Sequence, residues 1–218
     1  MNIFDLQKIM DLIALGGPMS IPLLIASIMS LAVIIEKSIF FAKHKDNGFR
    51  LIKKIEMLVD DGDILGALNE LKGKKGPNAK LLSAALAHHS EDPDRVREVM
   101  QAVGEDEIKK MEKHLAILDV IAMISPLLGL LGTVIGIISS FNILGATAGA
   151  ASPAQISSGI AAALISTALG LVIAIPTAIF YSYFTNKVEK RAHEMNLSMV
   201  DIIDVVSDRR EDNVQTYS

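Results

Sequence analysis

From Val120 to Asn186 the chain carries no charged residue. No single buried helix of a soluble domain needs so long an uncharged run. A hydrocarbon layer roughly 30 Å thick takes about 20 apolar residues per helical crossing, so this run accommodates two. Its middle, 145–158 (GATAGAASPAQISS), gathers Gly, Ala, Ser and Pro and reads as the turn between them. A third apolar run covers 18–42. The expected fold class is an all-α membrane protein with transmembrane helices at 18–42, 115–144 and 155–184.

Lysine and arginine placement orients these spans. Lys43, Lys45, Arg50, Lys53 and Lys54 follow the first span; Lys109, Lys110 and Lys113 precede the second; Lys187, Lys190 and Arg191 follow the third. The turn has none and the N-terminal segment only Lys8. The positive-inside rule then places the 43–114 segment and the C-terminus in the cytoplasm, and the N-terminus and the 145–154 loop outside. The absence of cysteine excludes disulfides and thiolate metal sites. No cleavable signal is expected, since Met1 to Leu15 mixes acidic and basic residues and no small-residue cleavage site follows the first run. Phe40, Phe41, Phe180, Tyr181, Tyr183 and Phe184 supply a thin aromatic belt.

In residues 2–13, Ile3, Leu6, Ile9, Met10 and Ile13 oppose Asp5, Lys8 and Asp11, which predicts an amphipathic helix on the outer surface within 1–17. Gly16, Gly17 and Pro18 end it. The cytoplasmic domain 43–114 reads as helical patches at Phe49–Asp60, Ile64–Leu71, Asn78–His89 and from Pro93 onward, separated by Asp61-Gly62-Asp63 and the 73–77 turn. Between Arg95 and Pro126 no proline or evident stop appears, so one helix is expected from about 95 to 144. The third span is expected to continue as a cytoplasmic helix over 185–207, with Val188, Met195, Met199, Ile202 and Val206 on one face. A disordered tail, 208–218, would follow.

Small residues mark both uncharged spans: Gly129, Gly132, Gly136 and Ser140 in the second; Gly159, Ala163 and Thr167, with Ala162, Ser166, Gly170 and Ala174 beside them, in the third. Such stripes let helix backbones approach closely in lipid. They can serve packing within one subunit, but two adjacent stripes on one helix favour a helix held on two sides, as in a ring. Thr133 and Ser140, seven residues apart, share a face, and with Thr167 and its neighbour Ser166 they could form a weakly polar strip along a lumen. The alternative is that each hydroxyl bonds its own preceding turn. Asp119, the last charge before the uncharged run, reads as a residue of the cytoplasmic mouth or as an interfacial residue with a basic partner. Glu36, near the end of the first span, reads as structural and needs a partner. His88 and His89 are adjacent and point apart, while His44, His114 and His193 are isolated, so no metal site is expected. No phosphate loop, nucleophile elbow or dinucleotide pattern argues for an enzyme.

The segment Ser125–Phe141 (SPLLGLLGTVIGIISSF) resembles the second-span signature of the MotA/TolQ/ExbB proton channel family, and Gly159–Pro176 (GIAAALISTALGLVIAIP) resembles its third-span signature, nearest the ExbB/TolQ branch. The Gly16-Gly17-Pro18 opening and Ile35-Glu36-Lys37 are similar too. The resemblance implies a homopentameric ring in the bacterial inner membrane. Its second and third helices would line a lumen holding the single spans of a dimeric ExbD- or TolR-like partner, with a TonB- or TolA-like protein beyond it. The partner's membrane aspartate would carry the ion and drive relative motion. On this resemblance Thr133 and Thr167 are the lumen threonines, and Pro126 and Pro176 are the membrane prolines that free backbone carbonyls and permit a bend. It implies no cofactor, metal or nucleic acid; the surroundings are the lipid bilayer.

One departure stands out. ExbB and TolQ relatives carry a glutamate where this chain has Ala162. With no acid between Val120 and Asn186, any titratable carrier at membrane depth must come from the partner. Protons are the expected ion, with a sodium-driven version or a non-conducting scaffold as the alternatives. A solitary permease is disfavoured, because three spans provide no inverted repeat or midplane binding group.

Overall fold

The computed structural model describes residues 16–43, 48–74, 76–146 and 152–216, with residues 48–49 and 205–216 described by their backbone alone. The expected amphipathic helix at 2–13 lies outside the described residues. Three helical stretches are long and apolar enough to cross a membrane, and no strand occurs among the described residues. The protein is an all-helical, multi-pass membrane protein. Its contacts divide it into two units.

The membrane unit comprises the chain up to Lys37 together with His114–Phe184. Gly17, at φ 69°, opens a 3-10 turn Gly17–Met19 with Pro18 in its first turn. Helix α1, Ser20–Lys43, follows directly. Two further helices belong here, named α6 (Leu115–Ala146) and α7 (Pro153–Thr216). Both contain a proline, Pro126 and Pro176, and run through it unbroken. A hydroxyl stands beside each proline and bonds back into the ladder. Ser125 donates to Ile121 O at 2.7 Å and Thr177 to Ile173 O at 2.7 Å. Such back-bonds are a recognised accompaniment of helix bending in lipid.

The second unit comprises Ser38–Lys113 and the chain from Thr185. It holds α2 (Gly48–Asp60), α3 (Ile64–Leu71), α4 (Pro77–Ala87) and α5 (Pro93–Glu112). Asp63 caps α3 by accepting from Gly66 N–H at 2.8 Å. Asp92 caps α5 by accepting from Asp94 N–H at 3.1 Å, with Pro93 in the first turn, where no N–H is needed. Ile55, Val59, Leu81, Leu82, Val96 and Met100 are buried and build the core. Val188, Met195, Met199 and Ile202 on α7 are buried as well, as their spacing predicts. Gly104 lets α5 approach closely: a Cβ there would lie 3.7 Å from Leu81, 3.7 Å from Met195 and 3.8 Å from Met199. The buried Phe41 ring takes Lys187 at 5.1 Å and Arg191 at 5.5 Å, a cation–π arrangement.

Two sequence expectations are corrected. The helix expected over 95–144 is divided. α5 closes with Lys113 at φ −47°, ψ 131°, and His114 sits at φ 67° before α6 begins. No local breaker accounts for this; the side chain of His114 instead meets Glu36, 78 residues away. The tail expected to be disordered from 208 is helical to Thr216, because α7 continues without a break from the third span.

Candidate functional site on the second and third spans

The antiparallel α6–α7 hairpin is closed by the small residues themselves. A Cβ added at Gly129 would lie 3.0 Å from Ser166 O and 3.0 Å from Thr167 Cα; one at Gly136, 2.8 Å from Ala163 Cβ and 2.9 Å from Gly159 O. At Gly170 it would meet Ser125 O at 2.5 Å, and at Gly132 it would meet Ser166 Cβ at 2.4 Å. Gly159 faces Ser140, whose Oγ would be 2.2 Å from an added Cβ. Ala163 is buried within the same seam. These residues therefore pack two helices of one subunit. The expectation that the stripes mark contacts between subunits is corrected at these positions, because their faces are already occupied from within the chain.

The four hydroxyls expected on a lumen separate into two pairs. Ser166 is buried and donates to Gly16 O at 2.5 Å and Ala162 O at 3.1 Å, tying the third span to the entry of the first. Ser140 is buried and donates to Gly136 O at 3.1 Å and Ile156 O at 3.3 Å. Each hydroxyl is thus taken up by an acceptor within the chain, Gly16 O ahead of the first span and Ile156 O on α7. Ser20, also buried at this junction, has no hydrogen-bond partner for its Oγ among the described residues. Sequence reasoning did not single it out, since a lone serine at a helix start carries no distinctive pattern.

Thr133 and Thr167 differ from that pair. Both are half-buried. Thr133 Oγ1 donates to Leu130 O at 2.6 Å, and Thr167 Oγ1 donates across the hairpin to Gly129 O at 3.1 Å. Thr167 is thus level with Gly129, four residues and roughly 6 Å of helix from Thr133. A hydroxyl has one proton and two lone pairs. With both protons committed to backbone carbonyls, what remains at these positions is acceptor oxygen. The site can receive a donor or a cation; it cannot itself exchange a proton, since hydroxyls do not titrate in this range.

Asp119 lies on α6, half-buried, four residues after its first residue Leu115. Extending the Gly170–Ser125 contact six residues along each helix puts it level with Pro176. Glu36, read from sequence as needing a partner, has one: His114 Nδ1 is 2.9 Å from Oε2 and 3.0 Å from Oε1. His114 is therefore not the isolated surface histidine that its sequence context implied. Among the described residues no group of three or more His, Asp or Glu could hold a metal ion.

Away from the spans, ion pairs organise the second unit. Burial pushes the Glu107 carboxyl up, but bonds from Lys110 at 2.8 Å and Lys80 at 2.7 Å outweigh it and hold the group below its usual value. Glu70 accepts from Lys54 at 2.8 Å and Lys74 at 2.5 Å, which lowers it to about 2. Glu56 is raised by burial first, then by the charges of Asp201 and Asp60.

Residues 73–197 match the MotA/TolQ/ExbB proton channel family. The chain belongs to that family. The protein named ExbB-like 3 of Synechocystis sp. is 33% identical over 172 residues, covering 78% of this chain and 81% of that protein. The biopolymer transport protein ExbB of Salmonella typhimurium is 31% identical over 182 residues, 77% of this chain and 72% of its own. The Tol-Pal system protein TolQ of Pseudomonas aeruginosa is 43% identical over 102 residues, 45% and 44% of the two chains. These place it in the ExbB/TolQ branch, whose members named here are transport- and channel-type membrane proteins. Within this ExbB/TolQ-branch chain Ala162 is half-buried, and its carbonyl accepts the Ser166 hydroxyl. This turn of the third span is thus bonded into the Ser166 junction.

Proposed function

We propose that this chain is the ring-forming, ion-conducting subunit of an ExbB/TolQ-type motor that converts ion-motive force into mechanical work. Five copies form a homopentamer in the bacterial inner membrane, with the N-terminus outside and the C-terminus in the cytoplasm. Their second and third spans wall a lumen occupied by the membrane helices of a dimeric ExbD/TolR-like partner, and a TonB/TolA-like protein receives the force. The observation that carries this reading is the uncharged α6–α7 hairpin, on which Thr133 and Thr167 stand one turn apart with acceptor oxygen to offer. Pro126 and Pro176 loosen the two walls, and Asp119 marks the cytoplasmic mouth.

The chemistry follows from what the hairpin lacks. Without an ionisable side chain between Val120 and Asn186, the carrier is a carboxylate of the partner. When protonated, that carboxyl donates to the threonine lone pairs; when ionised, it has no donor to meet there and a desolvation cost to carry. Each unit charge crossing 100 mV releases about 2.3 kcal/mol. That exceeds the roughly 0.6 kcal/mol of an average hydrogen bond between membrane helices, so one ion suffices to break a local contact per step. Ala162 in place of glutamate supports a second reading, a sodium-driven version, because hydroxyl and carbonyl oxygens also suit that ion.

The test is ion flux in liposomes holding the chain with its cognate partner. T133V/T167V is expected to abolish partner-dependent flux while the ring stays intact by native mass spectrometry; unchanged flux refutes the assigned role. Flux that survives amidation of the partner's aspartate refutes the carrier assignment. An intact complex silent under both proton and sodium gradients leaves a non-conducting scaffold.

A further inference from the structure

Between α1 and α6 the membrane unit carries a groove of about 490 Å³. Ten residues line it, and none has a polar side chain. Ala26 and Ile121 are buried and form its floor, while Ile25, Met29, Val120 and Ile124 stand exposed along its rims. Helices associate in lipid through small residues that let backbones approach, as Gly129, Gly136 and Gly170 do in the α6–α7 seam. The rims here are β-branched or long and hold a neighbouring backbone off. A stable protein–protein contact also takes about 20–30 residues a side, and the groove offers ten. Along α6 it runs from Ala116 to Leu128, roughly 18 Å. That is close to one leaflet's half of a hydrocarbon core roughly 30 Å thick. A membrane-crossing helix needs the whole depth; a single acyl chain needs the half.

The face of α1 that lines the groove leads to a charge. Pro22, Met29 and Glu36 follow at seven-residue steps and share one side of the helix. Glu36 is the first charged residue after the apolar run, so it marks where hydrocarbon gives way to the membrane surface. Half of its side chain is exposed. An ionised carboxylate is acceptor-only, with about four lone-pair sites, and the one Nδ1 of His114 leaves most of them open. The group that complements such a mouth is a cation with N–H to donate.

We propose that this groove is a phospholipid site, in which one acyl chain lies between α1 and α6 and a head group bearing a primary ammonium, as in phosphatidylethanolamine, donates to Glu36. The apolar lining selects the tail and the carboxylate selects the head. Phosphatidylcholine carries the same tails and the same charges but has no N–H on its head group, so it enters the groove and is held less well. An anionic head group without an amine meets the charge of Glu36 and is disfavoured.

The test is native mass spectrometry of the full chain released from nanodiscs that hold phosphatidylethanolamine and phosphatidylcholine with matched tails in equal amount. The unsubstituted chain is expected to retain phosphatidylethanolamine over phosphatidylcholine by roughly fivefold, the worth of about one net hydrogen bond. E36A should abolish that preference while total retained lipid stays the same. A26F and A116F, which fill the groove at two separate points, should each remove retained lipid of both kinds. M123F, on an exposed residue of α6 outside the groove, should leave retention unchanged. Equal retention of the two lipids by the unsubstituted chain, a preference that survives E36A, or retention in A26F and A116F equal to that in M123F overturns the proposal. The chain has no cysteine, so V120C can report on a second copy; crosslinking of V120C between copies with no lipid retained assigns the groove to that copy and overturns it too. Neither a partner nor ion flux enters this readout, so its failure leaves the motor reading standing, and the converse holds.

Discussion

Replacing Gly170 with alanine adds a single methyl group at the tightest approach to backbone atoms in the α6–α7 seam. That carbon would lie 2.5 Å from the backbone carbonyl oxygen of Ser125, 3.2 Å from Gly129 Cα and 3.4 Å from Gly129 N. All three are backbone atoms, so no side chain can swing aside. The closest ordinary carbon–oxygen separation is roughly 3.3 Å, and the helices must part by about 0.8 Å to restore it. A gap of that size forfeits about a quarter to a half of each dispersion contact along the seam. The Thr167–Gly129 bond, now 3.1 Å, would stretch beyond hydrogen-bonding range. Overpacking of this kind costs about 1–3 kcal/mol, and the lost interhelical bond adds about 0.6 kcal/mol. The hairpin is expected to lose about 2–3 kcal/mol, a shift of roughly 30- to 140-fold at 1.4 kcal/mol per decade. The control is G145A, since a Cβ at Gly145 meets nothing within 4 Å. Steric-trap or denaturant unfolding in bicelles, with both variants side by side, reads the difference. G170A as stable as the parent, or no less stable than G145A, would refute the claim that backbone contact at this seam sets hairpin stability.

Three further outcomes follow from the same contacts. S166A removes the bond to Gly16 O and should cost about 0.6 kcal/mol, at most about 1.7; amide exchange should quicken at 16–20 and stay unchanged at 115–125, and equal effects in both segments would contradict a local tether. Glu70 is lowered to about 2 from 4.5, so its pairing with Lys54 and Lys74 contributes fully above about pH 4.5 and is lost as pH falls toward 2; a carboxyl resonance that titrates near 4.5 would refute the double pairing. Glu56 is raised instead, so its ionised form weakens the fold at neutral pH and the penalty disappears on acidification; E56Q should stabilise the protein by up to about 0.5 kcal/mol at pH 7 and not at pH 4, and a gain equal at both pH values would rule out charge as the cause.

The spans were legible because hydrocarbon imposes a crude constraint: about 20 residues without charge. Small residues at three- and four-residue spacing likewise announced close helix packing. Whom they pack against was not legible. Gly132 and Gly136 look the same in sequence whether they meet Ser166 and Ala163 of their own chain or a neighbouring copy. The four hydroxyls were equivalent as letters, and only their acceptors distinguish Ser166, bonded to Gly16 across the fold, from Thr133, bonded three residues back.

By itself the sequence determined that this chain enters a membrane, that its second and third spans form an uncharged hairpin, and that no acid on that hairpin can carry a proton. Those properties follow from composition and period, which a chain bears whatever its neighbours do. The tertiary structure decided what depends on partners far apart in the chain: the seam that consumes the small-residue stripes, the burial of Ser140 and Ser166, and the pairing of Glu36 with His114. Local helix propensity at Lys113–His114 is worth tenths of a kcal/mol per residue, too little for the run of helix formers there to foretell whether the chain stays helical, and it turns at that point.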